Sequence, residues 1–206
     1  MNLPNRLTLA RFFMIPFFVV FMNVDHMGLN LTWQLAGHVI ALGLFIAATV
    51  TDYYDGAIAR RLNLVTNFGR LMDPLADKLL ISAGFIVLIE QRIAPAWMVI
   101  IILCREFLVT GLRLLGTSQG RVIQADRGGK NKTISQLVAV ITALSFLVIR
   151  DILTLGGWWQ TLRARDLRPD FWMEAVLYLL LLIATGLTLT SGWNYFYKNR
   201  DLIREH

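Results

Sequence analysis

The sequence predicts an all-α integral membrane protein, six transmembrane helices in one domain spanning residues 1–206, with a polar cavity opening to the cytosol. Three observations carry that expectation. Of the 206 residues, 56% are hydrophobic and 17% charged, which is greasier than soluble domains allow. Six apolar runs approach the roughly 20 residues that a spanning helix needs. Between two of those runs, the stretch Thr51–Lys78 carries four aspartates where charge is costly to keep. The single cysteine, Cys104, rules out an intramolecular disulfide. The net charge of +6 sits mostly beside apolar runs, so it reads as membrane topology and not as a nucleic-acid surface.

The first run, Leu7–Val24, follows Arg6 and has Arg11 near its start, as a signal peptide would. No small-x-small cleavage site follows it, so it is expected to remain as the first span. Trp33–Arg60 and Gly69–Glu90 are long because each has a polar, aspartate-bearing end. Ala94–Leu115 is the fourth span, and the polar connection Gly116–Lys132 precedes the fifth, Thr133–Ile149. Residues 150–169 then bring Arg150, Arg163, Arg165 and Arg168 together with Trp158 and Trp159, a mixture suited to the membrane interface. The competing reading is a misplaced fifth span. Phe171–Tyr197 is the sixth. An even number of spans puts both termini on one side, and the Lys and Arg bias makes that side cytoplasmic.

The aspartates are spaced for helices. Asp52 and Asp55 lie three apart, Asp73 and Asp77 four apart, and each pair therefore shares a face. The short connection Leu62–Phe68 makes the two helix ends neighbours, so all four carboxylates are expected at one cavity. Hard carboxylate oxygens suit Mg²⁺, Mn²⁺ or Ca²⁺, and no His or Cys cluster joins them as Zn²⁺ would require. Simpler readings exist for each residue. Asp73 before Pro74 would serve as a helix cap, Asp55-Gly56 as a turn, and Asp52 or Asp55 as a partner for Arg60 or Arg61. None of them explains four in register.

Cations supply the second pattern. Arg105 lies inside a spanning segment, Arg113 two turns further on roughly the same face, and Lys130 and Lys132 open the fifth helix. Together they suit the phosphate of a phosphorylated acceptor. Against this, Arg105 would serve as half of a structural pair, although its neighbour Glu106 is a poor partner on a helix. Lys130 and Lys132 would serve as topology anchors. Lys78 is expected to snorkel or pair. Asn5, Thr8 and Arg11 recur every third residue near the cytosolic surface, within reach of nucleotide or lipid phosphates. Asn5 as a helix cap and Arg11 as an anchor are the plainer alternatives. His26, His38 and His206 are scattered and read as non-catalytic.

The pattern D-x-x-D-G-x-x-A-R, then G-x-x-x-D-x-x-x-D after eight residues, is filled by Asp52, Asp55, Gly56, Ala59, Arg60, Gly69, Asp73 and Asp77. It resembles the signature of the CDP-alcohol phosphatidyltransferases. That resemblance implies six transmembrane helices, a cytosol-facing cavity and transfer of a phosphatidyl group from CDP-diacylglycerol. It implies two divalent ions, Mg²⁺ or Mn²⁺, on Asp52, Asp55 and Asp73, with Asp77 both a ligand and the catalytic base. Gly56 and Ala59 would let the cytidine nucleotide lie on the second helix, and Arg60 would neutralise phosphate charge. Asn5, Thr8 and Gly69 complete the expected donor site.

The stretches Asn2–Arg11, Cys104–Arg113 and Gly129–Gln136 are similar to the bacterial branch of that family in which glycerol 3-phosphate is the acceptor. A homodimer in the bacterial cell membrane follows by the same analogy. The rival within the family is another acceptor such as inositol phosphate. From a different class comes a divalent-cation transporter, disfavoured because the carboxylates cluster at helix ends beside Arg60 and Arg70, with none across the bilayer to continue a path.

Overall fold

The computed structural model describes the backbone of residues 3–61, 67–118 and 127–200, and the side chains of residues 7–52, 72, 75–114, 116, 129 and 131–200. Among them the chain forms seven α-helices and no strand: α1 (Leu3–Met22), α2 (Leu31–Arg61), α3 (Asn67–Glu90), α4 (Ala96–Ser118), α5 (Arg127–Leu155), α6 (Trp158–Ala164) and α7 (Pro169–Lys198). A 3₁₀ turn at Val24–Met27 links α1 to α2 and closes on Gly28, whose φ of 68° is left-handed. The prediction of an all-helical protein is borne out.

Helix lengths follow the apolar runs but overrun their polar ends. The stretches Leu31–Asp52, Asn131–Leu155 and Pro169–Lys198 are long and apolar enough to cross a membrane. The apolar part of α1, Leu7–Met22, is shorter. Charges also interrupt two of the other predicted spans: α3 carries Asp77, Lys78 and Glu90, and α4 carries Arg105, Glu106 and Arg113. Large apolar side chains such as Ile100, Phe107, Leu108, Ile134, Leu179 and Ile183 stand exposed on the outer faces. So much exposed hydrocarbon on long helices marks a membrane protein.

The connection at residues 150–169 is neither a loop nor a span. α5 runs on to Leu155, six residues past the expected end, so Arg150 belongs to a helix. The seven-residue α6 then lies between α5 and α7, with Trp159 buried and Trp158 exposed. Arg163 reaches Asp170 at 2.5 Å, pinning α6 to the start of α7.

The core forms where α1, α2, α3, α4, α5 and α7 meet. Phe18 and Phe45 stack at a tilt of 49° with centroids 5.4 Å apart, and Phe85, Leu88, Met98, Ile102, Leu144 and Leu181 complete a closed apolar layer. Close helix approach depends on missing side chains. A Cβ on Gly84 would stand 3.0 Å from both Phe45 and Val140, and one on Gly37 would stand 2.8 Å from the carbonyl oxygen of Phe21. The carbonyl is backbone and cannot swing aside. Gly37→Ala is therefore expected to cost about 1–3 kcal/mol by overpacking, read as a lowered Tm of the detergent-solubilised protein.

One buried polar pair crosses this core. His38 on α2 and Asp151 on α5, both almost fully buried, are joined at 2.6 Å between Nδ1 and Oδ2. It ties α2 to α5 near the end of the bundle remote from Asp77.

Candidate active site

Because the long helices alternate in direction, the C-terminal parts of α2, α4 and α7 meet the N-terminal parts of α1, α3 and α5 at one end of the bundle. The chemistry-bearing residues gather there. α2 is continuous to Arg61, so Asp52, Asp55, Gly56, Ala59 and Arg60 share one helix, and Gly69, Asp73 and Asp77 share α3. The side chains of Asn5, Asp55, Gly56, Ala59, Arg60, Gly69, Asp73 and Lys130 lie outside the described residues. Convergence of all four carboxylates therefore falls outside them too.

Asp52 and Asp77 are described. Asp52 Oδ1 is met at 2.5 Å by Nη1 of Arg11, a fully buried side chain of α1. Thr8, one turn before Arg11, is buried as well. A guanidinium buried against a half-exposed carboxylate is a strong tie between α1 and α2. Asp77 is about one-third exposed, with 34% of its side-chain surface open, and Lys78 approaches it at 3.4 Å. Among the described residues no three His, Cys, Asp or Glu side chains group as a metal site. The donor chemistry nonetheless fits a hard divalent cation: Asp52 and Asp77 offer carboxylate oxygens still reachable from solvent, from the two helices that carry Asp55 and Asp73.

Asp77 opens onto a cavity of about 500 Å³ whose walls come from α3, α4, α5 and α7. Three of these helices contribute residues at helical spacing. From α4 come Glu106, Thr110 and Arg113 at i, i+4 and i+7, with Arg105 beside them; from α5 come Gly129, Lys132 and Thr133; from α7 come Ser191 and Tyr195. Arg105 donates from Nη2 to Ser191 Oγ at 2.8 Å. Its stem lies along Gly192, where a Cβ would stand 2.9 Å from Arg105 Cγ. Arg113 sits over the Tyr195 ring, 5.7 Å from its centroid. Three of the four cations expected to bind acceptor phosphate, Arg105, Arg113 and Lys132, thus line the same cavity as Asp77.

Glu106 is the residue that sequence reasoning undervalues. It is 2% exposed and takes Lys78 at 2.9 Å through Oε2, with Lys132 on Oε1 and Arg105 at 3.5 Å. Lys132, also 2% exposed, is therefore held by a carboxylate within the cavity wall. The available signal was the i, i+4, i+7 stripe that Glu106 starts on an otherwise apolar helix. One turn further along α5, Gln136 donates to Thr188 on α7 at 3.0 Å, a buried polar tie between the two helices.

A larger cavity, about 680 Å³, lies at the opposite end between the α3–α4 connection, α5, α6 and α7. It contains none of the motif residues.

Comparison with known proteins supplies the family. The profile of the CDP-alcohol phosphatidyltransferases matches residues 1–163. The chain is 41% identical to the CDP-diacylglycerol--glycerol-3-phosphate 3-phosphatidyltransferase of Bacillus subtilis, over 98% of this chain and 97% of that protein. The proteins of the same name from Rickettsia felis and Mycoplasma pneumoniae are 35% and 31% identical, covering 95% and 92% of this chain and 93% and 84% of theirs. With the family's motif carried on α2 and α3 and Asp77 opening onto a cation-lined cavity, the chain belongs to the CDP-alcohol phosphatidyltransferase family.

Proposed function

We propose that the chain transfers the phosphatidyl group of CDP-diacylglycerol to the 1-hydroxyl of sn-glycerol 3-phosphate, releasing CMP and forming phosphatidylglycerophosphate. The observation that carries this reading is the cavity that joins Asp77 to Arg105, Arg113 and Lys132. A carboxylate beside clustered cations suits an acceptor that has both a hydroxyl to deprotonate and a phosphate to hold. The relatives' names support the same acceptor over inositol phosphate, which these cations would also suit.

In this reading all six long helices cross the bilayer, both termini face the cytoplasm of a bacterial cell, and α6 lies at the far interface with Trp158 and the arginines. The enzyme works as a homodimer. The acyl chains of the donor stay in lipid while its headgroup meets the α2 and α3 ends, along Gly56, Ala59, Arg60 and Gly69, with Asn5 and Thr8 from α1. Glycerol 3-phosphate enters from the cytosol, and Arg105, Arg113, Lys130 and Lys132 hold its phosphate. Asp77 takes the proton of the 1-hydroxyl, whose oxygen attacks the lipid-linked phosphorus. The bond from that phosphorus to the CMP oxygen breaks, and CMP leaves with the electron pair. Asp52, Asp55, Asp73 and Asp77 would hold the divalent cations, Mg²⁺ or Mn²⁺, which when bound supply charge neutralisation at the pyrophosphate.

The test is purified protein with CDP-diacylglycerol, Mg²⁺ or Mn²⁺, and glycerol 3-phosphate, inositol phosphate or serine in turn. CMP release that depends on glycerol 3-phosphate is expected. Release with another acceptor and none with glycerol 3-phosphate overturns the assignment, and ion flux in proteoliposomes free of nucleotide lipid would favour a transporter.

A further inference from the structure

We propose that Glu106 is a positioning residue for the transfer, acting through Lys78 to orient Asp77. The inference rests on the reading of Asp77 as the base. Glu106 lies on α4, yet its two oxygens engage lysines of two other helices: Oε2 meets Lys78 of α3 at 2.9 Å and Oε1 meets Lys132 of α5. A buried carboxylate needs compensation, and one well-placed lysine in a salt bridge gives it. Lys132 is that lysine, as deeply buried as Glu106 itself.

The second lysine is placed differently. Lys78 is about one-fifth exposed and stands between two carboxylates, 2.9 Å from Glu106 and 3.4 Å from Asp77. The shorter contact is an ion pair that draws the ammonium toward Glu106, and the longer one is the weak hydrogen bond it donates to Asp77 Oδ2. One oxygen of Asp77 is thereby oriented by a fixed cation while the other stays available to an acceptor hydroxyl. Residues 77 and 78 are adjacent on α3 and would not face each other unaided. The carboxylate on α4 draws the lysine to a fixed point beside Asp77. Without Glu106, Asp77 is the one carboxylate among the described residues left beside the ammonium, which closes on it as a full ion pair that competes with the acceptor hydroxyl.

The experiment is a double-mutant cycle on the full-length protein in detergent, assayed by CMP release with CDP-diacylglycerol, glycerol 3-phosphate and Mg²⁺. Glu106→Gln is expected to lower kcat by about 10- to 100-fold, the range for residues that orient a reacting group's neighbours. Lys78→Met is expected to lower kcat by about tenfold with the KM for both substrates within twofold. In the double variant kcat is expected to be no lower than in Lys78→Met alone, because the lysine through which Glu106 acts on Asp77 is gone, and any effect of releasing Lys132 is read in the KM for glycerol 3-phosphate. Multiplied losses, or a wild-type kcat in Lys78→Met, overturn the proposal. Where Glu106→Gln does not fold, Lys78→Met alone decides, since it leaves Glu106 paired with Lys132: a tenfold loss in kcat at unchanged KM supports the proposal and wild-type kcat overturns it. Wild-type protein that releases no CMP with glycerol 3-phosphate overturns the reading beneath the inference, and the inference with it.

Discussion

Asp77→Asn is expected to leave a folded protein with its turnover lowered by about a thousandfold, within the range that loss of a general base produces. The expectation of folding comes from the surroundings of Asp77. The side chain is one-third exposed, and its cationic neighbour Lys78 keeps the closer partner Glu106 when the charge at position 77 is removed. No buried charge is stranded, so the usual cause of collapse after breaking an ion pair is absent. Asparagine retains one oxygen at the carboxylate's place, and much of the binding of Mn²⁺, followed by electron paramagnetic resonance, is expected to persist. Two measurements thus separate base from ligand: kcat falls by about 4 kcal/mol in barrier terms while metal binding weakens modestly. Near-normal turnover would remove Asp77 as the base.

Much of the helical plan was readable in advance because lipid-length apolar runs are a coarse signal that packing seldom overrides. Boundaries were less readable where charge continues on a helix. α5 starts at Arg127 and ends at Leu155, while the apolar window runs from Thr133 to Ile149. Arg150 and Asp151 belong to α5 because Asp151 turns inward to His38, a contact 113 residues away that no local pattern contains. The division of the 150–169 connection into the end of α5, a short α6 and the start of α7 has the same origin. Its tie, Arg163 to Asp170, is a pairing across two helix ends.

The candidate site was legible at the level of the motif and illegible at the level of partners. Helical spacing placed Asp52 with Asp55 and Asp73 with Asp77, because spacing is a property of one helix. A partner of Asp52 is Arg11, from a helix some forty residues earlier in the chain. In sequence the cation beside Glu106 is Arg105, whereas its close contacts are Lys78 and Lys132 from α3 and α5. Ser191 and Tyr195 carried no signal at all: a serine and a tyrosine near the end of an apolar helix acquire meaning only when Arg105 and Arg113 are packed against them.

Arg105→Met is expected to raise the KM for glycerol 3-phosphate by about 30- to 150-fold, the loss of one charged hydrogen-bonding contact worth about 2–3 kcal/mol, while kcat at saturating acceptor stays within a few fold. The split follows from position. Arg105 lines the cavity with no ion pair closer than 3.5 Å among the described residues, and its guanidinium is steadied by Ser191 at 2.8 Å, so it retains donors for an incoming phosphate. Lys132, by contrast, shares its ammonium with Glu106. Arg105→Lys should recover little, because a single ammonium cannot reach Ser191 and grip a phosphate in the forked manner of a guanidinium. Gly192→Val supplies the geometric control. Its side chain would occupy the place of the Arg105 stem, where even a Cβ stands 2.9 Å from Cγ, so it should raise the same KM without removing any charge. A fall in kcat with unchanged KM in Arg105→Met would instead assign Arg105 to the transition state and leave the acceptor phosphate to Arg113 and the lysines of α5.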